Sequence, residues 1–333
     1  MPLARKRTRL ADVATAAGVS TMTVVRVMRN PERVALRTRE RVEAVLRETG
    51  YTPDLTASAL ASQRTRLVGA IVPVLTNSLI AEIIQGLTDA LSAQHLQMVL
   101  GVSGFSAASE QALVQAFLSR RVDAMFLTGV TRTKATLSML EHAGIPVVEA
   151  GNLTATPVDM VVGYSNVEAA RAMTRYLLQR YGPVGYIGAF PADNDRARDR
   201  RLGYEKAMRA ARREVDPRLC METTLDIDAG AAAMGRMLAR KPRAVFCSAD
   251  ALAVGALYEC QRRGVDVPSQ VAIGGFDDIV LAAQVVPALT TIRVPRYEIG
   301  KRAGAMLCDR LAGRAVRKRV VDAGFELVPR SSA

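Results

Sequence analysis

The chain has 333 residues, 49% of them hydrophobic, and a mean hydropathy of +0.10, so it can form two or three compact cores. It lacks an apolar run long enough for a membrane helix, and its basic N-terminus lacks the apolar core of a secretory signal. We therefore expect a soluble cytoplasmic protein that does not contact membranes. The formal net charge is +13, and residues 1–66 carry +7 of it, which favours a phosphate-binding N-terminal segment.

The first sixty residues predict short helices and no strand. LADVATAA has apolar residues at helical spacing, Gly18 breaks the pattern, and Ser20 is a good N-cap for a helix over 21–28. A third helix is predicted over 37–49, ended by Gly50. The stretch DLTASALAS, 54–62, can form a helix of barely two turns, too short to be stable alone, and resembles a hinge.

From Leu67 onward, apolar runs alternate with amphipathic stretches. Continuous apolar strands, each followed by a helix, predict a parallel sheet covered on both faces, and the pattern occurs twice. The sequence thus predicts two similar α/β lobes with a cleft between them, where small polar ligands commonly bind. The predicted strands are LVGAIVP, QMVLGV, DAMFLTG, PVVEAG and DMVVGY in the first set, and PVGYIGA, LCMETTL, RAVFCSA and QVAIGGF in the second.

Two N-terminal runs, LADVATAAGVSTMTVVRVM and RVALRTRERVEAVLRETGYTP, resemble the headpiece of the LacI/GalR family of bacterial transcription repressors. The α/β body resembles that family's effector-binding core. The resemblance implies an all-α helix-turn-helix headpiece (1–53), a hinge (54–65) and a bilobed, periplasmic-binding-protein-like core (66–333). The lobes would comprise about 66–164 plus 295–318, and 165–294 plus the C-terminal strand.

The second helix of such a headpiece is expected to lie in the major groove of double-stranded DNA. Its N-terminal residues Thr21 and Met22, and Arg26 one turn later, would then face the bases. Arginine can donate to guanine O6 and N7, and a Met or Thr methyl can touch the thymine methyl. Thr23 is expected to bond a phosphate, which positions the protein without specifying sequence.

The family's hinge helix inserts a leucine into the minor groove, and Leu60 matches that position, with Ala57 one turn earlier. Such a wedge kinks the duplex. A short hinge helix should order only when paired with a second copy on DNA, which implies a homodimer and a near-palindromic operator.

The headpiece departs from the family pattern at several positions. Val25 stands where a phosphate-bonding serine is usual, while Ala35 and Arg9 replace the usual capping residues of the third and first helices. Asp54-Leu55 replaces the usual Asn-Arg. We expect weaker and more salt-sensitive DNA binding.

In the core, Arg200 matches the family's Arg-x-x-Gly, and Asp250 matches an acid that accepts from sugar hydroxyls. Arginine suits a carboxylate or vicinal hydroxyls, so the pair would bind a polyol, either neutral or acidic. An interlobe salt bridge is the alternative for either residue. Asn77 and Asp277 are further candidates for effector binding, and Asp277 could instead cap a helix.

The predicted cleft lacks the usual Asn-x-Phe-Phe and reads Asn77-Ser-Leu-Ile instead, so it should lack an aromatic platform for a flat sugar. The run PVVEAGNLTATPVDMVVGYSN, which contains Glu149, resembles the gluconate-operon repressor branch. This implies a sugar acid such as gluconate as effector, either inducer or corepressor; a neutral sugar or a nucleoside is the alternative.

Two other classes share parts of this pattern. An α/β enzyme with an appended headpiece would need a GxGxxG, a P-loop or a nucleophile elbow, none of which occurs. A solute-binding protein of a transport system would need export, which the N-terminus without a signal's apolar core does not favour. The four cysteines and two histidines show no metal-ligand spacing, so we expect no metal, no cofactor and no catalytic residues.

Overall fold

The computed structural model describes residues 8–52, 64–75, 78–190, 192 and 194–333. It separates into two compact units, Met1–Thr65 and Arg66–Ala333. Within the described ranges, no single helix is long and apolar enough to cross a membrane; one bent helix pair, Leu10–Ala16 with Thr21–Met28, meets only the length and composition criteria.

The first unit is a helix-turn-helix followed by a third helix. Its elements are α1 (Leu10–Ala16), α2 (Thr21–Arg29), a 3-10 turn (Pro31–Arg33) and α3 (Leu36–Thr49). Gly18 adopts a left-handed φ of 62°, which only glycine adopts without strain, and α2 leaves the turn at 99° to α1. The predicted all-α headpiece is confirmed.

Buried valines hold these three helices together. Val13 on α1, Val24 and Val27 on α2, and Val42 on α3 form one apolar cluster. The two longer helices begin differently. Ser20 accepts a hydrogen bond from Thr23 N at 3.2 Å and caps α2, whereas Ala35 gives α3 no side-chain cap.

The second unit contains two parallel sheets. The six-stranded sheet has the order β11-β5-β4-β3-β1-β2, and we call it, with α4, α5, α6 and α11, lobe 1. Its elements are β1 (Leu67–Val72), α4 (Ser78–Ser92), β2 (Gln97–Val102), α5 (Ala107–Ser119), β3 (Ala124–Thr128), α6 (Lys134–Ala143), β4 (Val147–Ala150), β5 (Met160–Gly163), α11 (Arg296–Leu311) and β11 (Val320–Asp322).

The four-stranded sheet has the order β7-β6-β8-β9, and with α7 to α10 it forms lobe 2. Its elements are α7 (Asn166–Tyr181), β6 (Val184–Ala189), α8 (Asp195–Ala210), a 3-10 turn (Pro217–Leu219), β7 (Cys220–Thr223), α9 (Ile227–Leu238), β8 (Ala244–Cys247), α10 (Asp250–Arg262), β9 (Ala272–Gly274) and a 3-10 turn (Val280–Ala283). Every strand pair in both sheets is parallel, which confirms the predicted α/β class.

The chain passes between the lobes three times. It crosses after β5, again between β9 and α11, and finally after β11. The second crossing includes β10 (Thr291–Arg293), and the chain after the third forms β12 (Glu326–Val328), antiparallel to β10. Because β11 pairs with β5, lobe 1 extends past residue 318.

Helices α4 and α11 of lobe 1 pack closely. A Cβ on Gly300 of α11 would lie 1.9 Å from Ile83 O of α4, so this crossing tolerates only glycine. The carboxyl ends of the strands in both lobes face the space between the lobes, which we call the cleft.

Candidate functional site

Helix α8 carries two arginines into the cleft. Asn194 caps the helix by accepting a hydrogen bond from Ala197 N at 3.2 Å. Arg196 and Arg200 follow one helical turn apart, so both side chains lie on the same side of α8. Their surroundings differ.

Arg200 is buried and held by the protein. Its guanidinium stacks on the ring of Phe276, with Cζ 3.7 Å from the ring centroid. Four of its N–H groups are donated, to Asn166 Oδ1 at 2.9 Å, Ser248 O at 2.6 Å, Tyr164 Oη at 3.1 Å and Asp277 Oδ1 at 3.1 Å. With nearly every donor used, Arg200 fixes the lobe 2 side of the cleft.

Asp277 completes this arrangement from the second crossing. Its backbone has a φ of 115°, a strained conformation for an aspartate, and its backbone carbonyl accepts from Arg296 Nη1. Burial raises the pKa of Asp277 in spite of the opposing attraction of Arg200. Among the described hydrogen bonds its carboxylate accepts only from Arg200, through Oδ1, so Oδ2 is available to a ligand.

Arg196 is the less occupied arginine. Its side chain is 15% exposed, and its one hydrogen bond to a described residue runs from Nη1 to Asp195 Oδ1, at 3.1 Å. The guanidinium lies against Gly129 of lobe 1, where a Cβ would come within 2.8 Å of Nη1. Glycine at 129 therefore lets an arginine of lobe 2 reach across the cleft with donors to spare.

Two cavities meet at Arg196. The first encloses about 730 Å³ including its opening and is apolar on the lobe 1 side. Its polar lining consists mainly of Asn194, Arg196, Arg200, Ser248, Asp277 and Arg296. The second, of about 790 Å³, lies among the loops after β1, β2 and β3 and the start of α8. Pro73, Phe105, Thr128 and Arg196 line both cavities, so the two are adjacent and share this part of their walls.

Direct hydrogen bonds join the lobes beside these cavities. Asp195 Oδ2 accepts from Val130 N at 2.7 Å. Asn152 Nδ2 donates to Asp199 Oδ2 at 2.7 Å. Both contacts attach the first turns of α8 to loops of lobe 1, so a ligand at Arg196 would touch the elements that close the cleft.

The headpiece presents a second candidate surface on α2. Met22 is 65% exposed although it is apolar, and Thr21 and Arg26 are exposed beside it. Val24 and Val27 lie on the opposite, buried face. An exposed row of this composition on the second helix of a helix-turn-helix can read base edges in a major groove.

Comparison with known proteins identifies the family. Residues 9–54 match the model described as bacterial regulatory proteins, lacI family, and residues 175–333 match a periplasmic binding protein-like domain. The HTH-type transcriptional regulator GntR of Escherichia coli K12 is 35% identical over 98% of this chain and 99% of its own length. The chain belongs to the LacI family. It is a transcriptional repressor with a DNA-binding headpiece and an effector-binding core, and not an enzyme.

Solved structures of LacI-family regulators share the fold. A LacI-family regulator from Silicibacter pomeroyi superposes with a TM-score of 0.90 at 31% identity, covering 98% of this chain and 99% of the other. A regulator GntR from Chromobacterium violaceum gives 0.76 at 34%, covering 80% and 98%.

Only some of the effector-site residues predicted from the family resemblance line the first cavity. Arg200 and Asp277 line the first cavity together, whereas Asp250 does not line it. Asp250 is fully buried; its Oδ1 accepts from Thr291 Oγ1 at 2.6 Å and its Oδ2 from Ile279 N at 2.9 Å. Burial, followed by the nearby charge of Asp277, raises the pKa of Asp250 to about 7. In this LacI-family core, Asp250 therefore braces the second crossing.

Glu149 is also removed from the cavity linings. It is 2% exposed, and it accepts hydrogen bonds from Arg132 Nη1 and, at 2.9 Å, from Val158 N. Burial raises its pKa against the attraction of Arg132. Glu149 thus supports Arg132, which does line the second cavity.

Three predicted residues, Asn77, Ala57 and Leu60, lie outside the described residues. Thr23 is half-buried, and its hydroxyl shares a 2.9 Å hydrogen bond with Ser20 Oγ. Within the described ranges, no three His, Cys, Asp or Glu side chains are grouped so as to hold a metal ion.

The expectation of a cleft without aromatic rings was wrong. Phe105, from the loop after β2, lines both cavities, and Tyr164 lines the first. The family resemblance places a ring near residue 78, whereas in this chain Phe105 of the loop after β2 supplies it. Sequence reasoning also missed Arg196, whose spacing of four residues from Arg200 was the available signal.

Proposed function

We propose that this LacI-family repressor responds to a sugar acid of the gluconate type bound in the cleft. The observation that carries the proposal is the contrast between the two arginines of α8. Arg200 is held by four protein acceptors, whereas the Arg196 side chain has one such bond to the described residues and lines both cavities. A guanidinium with spare donors in a sheltered cleft is suited to a carboxylate.

The ligand's hydroxyl groups would find an acceptor close by. Asp277 Oδ2 is available at the first cavity, and Arg200 fixes that carboxylate in place. A molecule that pairs a carboxylate with vicinal hydroxyls satisfies both Arg196 and Asp277. A neutral sugar would offer Arg196 only hydroxyl acceptors, which bind a guanidinium more weakly than a carboxylate does. The resemblance to the gluconate-operon repressor branch agrees with an acid.

The DNA side of the proposal is a homodimer on a near-palindromic operator. Thr21, Met22 and Arg26 would read one half-site, and a second copy would read the other. In this scheme, ligand binding changes the equilibrium between lobe arrangements because Arg196 adjoins Asp195, which bonds lobe 1.

The experiment is a thermal-shift and calorimetric comparison of gluconate, glucose and cytidine on the full chain. A ligand that binds only the native state raises the melting temperature, and we expect this for gluconate alone. Arg196→Met removes the proposed donor and should weaken gluconate binding by roughly tenfold to a hundredfold, since a hydrogen bond to a charged group is worth about 1.5–3 kcal/mol.

Arg209→Met is the matched control, because Arg209 is exposed on the same helix and lines neither cavity. It should bind gluconate as the wild type does. Equal loss in both variants would contradict the role of Arg196, and stabilisation by glucose or cytidine with none by gluconate would overturn the sugar-acid proposal.

A further inference from the structure

The second cavity contains a buried charge cluster that the proposed carboxylate contact does not use. Arg132 is completely buried between two glutamates: Nη1 donates to Glu149, and Nε lies 3.4 Å from Glu110 Oε1. We call these three residues the Glu110 triad.

Within the triad, Arg132 and Glu149 are fixed and Glu110 faces the cavity. Arg132 Nη2 donates to Gly129 O at 2.8 Å, and Glu149 accepts from Val158 N. Arg132 Nε is buried and has no hydrogen-bond partner among the described residues. Glu110 is 14% exposed and accepts no hydrogen bond from a described residue, although it lines the second cavity.

Burial raises the pKa of Glu110, because the loss of hydration outweighs the attraction of Arg132. Glu110 has lost much of its hydration and has one ion-pair partner, Arg132, so hydroxyl donors of a ligand would compensate for the lost water.

The charges around the second cavity favour hydroxyl groups over a further charged group of the ligand. With Glu149 behind the wall, three carboxylates and three guanidinium groups surround it: Glu110, Glu149 and Asp195 against Arg132, Arg196 and Arg198. Once the ligand's carboxylate pairs with Arg196, the rest of this wall has three carboxylates against two guanidinium groups, which disfavours a second anionic group and favours hydroxyl donors.

The neighbouring hydroxyls of the cavity already serve the protein. Ser106 caps α5 and Thr133 caps α6, while Thr131 accepts from Arg198 at 3.1 Å. Thr128 donates to Ile71 O at 3.2 Å. Among the described residues of this wall, Glu110 is a carboxylate that forms no hydrogen bond and so has capacity for a ligand's hydroxyl groups.

We infer that the second cavity is a polyol subsite in which Glu110 accepts hydrogen bonds from the distal hydroxyls of an extended sugar acid. This inference rests on the proposed function, because the ligand's carboxylate would lie at Arg196, where the two cavities meet. The subsite makes effector affinity depend on chain length. A six-carbon acid can extend from Arg196 towards Glu110, whereas a three-carbon acid offers only the hydroxyls next to its carboxylate.

The test is isothermal titration of the full chain with gluconate and with glycerate, a three-carbon hydroxy acid. The wild type should bind gluconate at least about tenfold more tightly. Glu110→Gln keeps the size of the side chain and removes its charge; it should weaken gluconate binding about tenfold and leave glycerate binding unchanged. Glu141→Gln, exposed on α6 of the same lobe, is the matched control and should retain the wild-type preference.

A second variant at the same position tests the subsite even if Glu110→Gln is unstable. Glu110→Asp keeps a charge beside Arg132 but withdraws the oxygens by one methylene, so it should also reduce the preference for gluconate over glycerate. Unchanged gluconate affinity in both variants, or equal loss of both acids, overturns the subsite. A wild type that binds neither acid overturns the proposed effector class and the subsite with it, an outcome distinct from binding without length preference.

Discussion

The two sides of the cleft treat their charged groups differently. On the lobe 2 side, Arg200 and Asp277 are buried and bonded to one another, and Arg200 has almost no unused donor. At the junction with the second cavity, Arg196 and Glu110 keep donors and acceptors that form no hydrogen bond with the described residues. A charged group whose hydrogen bonds are made within the protein holds the site in its geometry. A sheltered charged group with unused donors or acceptors is available to bind a ligand.

The largest expected effect is a loss of stability on the lobe 2 side of the cleft, where Arg200 and Asp277 are paired. Arg200→Met leaves Asp277 buried without its partner, and breaking a buried ion pair from one side costs about 3–5 kcal/mol. We expect that loss in the free energy of unfolding, measured by urea denaturation at pH 7. Adding Asp277→Asn should recover part of it, because the isolated charge is then absent.

Arg196→Met should cost far less stability than Arg200→Met, since it breaks one hydrogen bond of a partly exposed side chain. If the Arg200 and Arg196 variants lost equal stability, the contrast between the two arginines would be contradicted. Effector affinity alone cannot make this distinction, because Arg200→Met also removes the support of Asp277.

A second prediction concerns Asp250, whose buried carboxyl should make the stability of the fold depend on pH. The pKa of Asp250 is raised from 3.8 to about 7 in the folded protein. Between these values the folded state retains a proton that the unfolded state has lost, so this group's contribution to stability falls as the pH rises through that window. Asp250→Asn resembles the protonated form and should remove this loss.

The measurement is the free energy of unfolding of the wild type and Asp250→Asn at pH 5 and pH 8. The variant should gain on the wild type by at least about 1.4 kcal/mol between the two pH values, which corresponds to one pKa unit. Asp228→Asn, at an exposed position on α9, should show a constant difference from the wild type. A constant difference for Asp250→Asn would exclude the raised pKa.

The headpiece was predictable from sequence because its signals are local. Gly18, Ser20 and the spacing of Val24 and Val27 lie within one helix-turn-helix, and the repeated strand and helix runs fixed the class of the core in the same way. Most of the predicted hinge, 54–65, including Leu60, lies outside the described residues.

The cleft depends on contacts between distant segments, which a single sequence does not reveal. Asp250 resembles a ligand-binding acid, yet Thr291, 41 residues away, occupies one of its oxygens. The Arg196 guanidinium has room because residue 129 is glycine, where a Cβ would lie 2.8 Å from Nη1. Sequence spacing therefore places residues on the right helix and loop, but the folded structure decides which polar groups remain unsatisfied.

The smallest expected effect applies the same comparison to the headpiece. Ser20 satisfies a backbone N–H at the start of α2, whereas Ala35 leaves the start of α3 without a side-chain acceptor. Ala35→Ser should stabilise α3 by about 0.5–1 kcal/mol, and Ser20→Ala should destabilise α2 by about 1 kcal/mol. Amide hydrogen exchange of the full chain measures both locally, as slower exchange in α3 and faster exchange in α2. Ala35 has an extended ψ of 136°, which serine also adopts, so the backbone there is compatible with an N-cap. Faster exchange of α3 in the Ala35→Ser variant would therefore contradict this prediction.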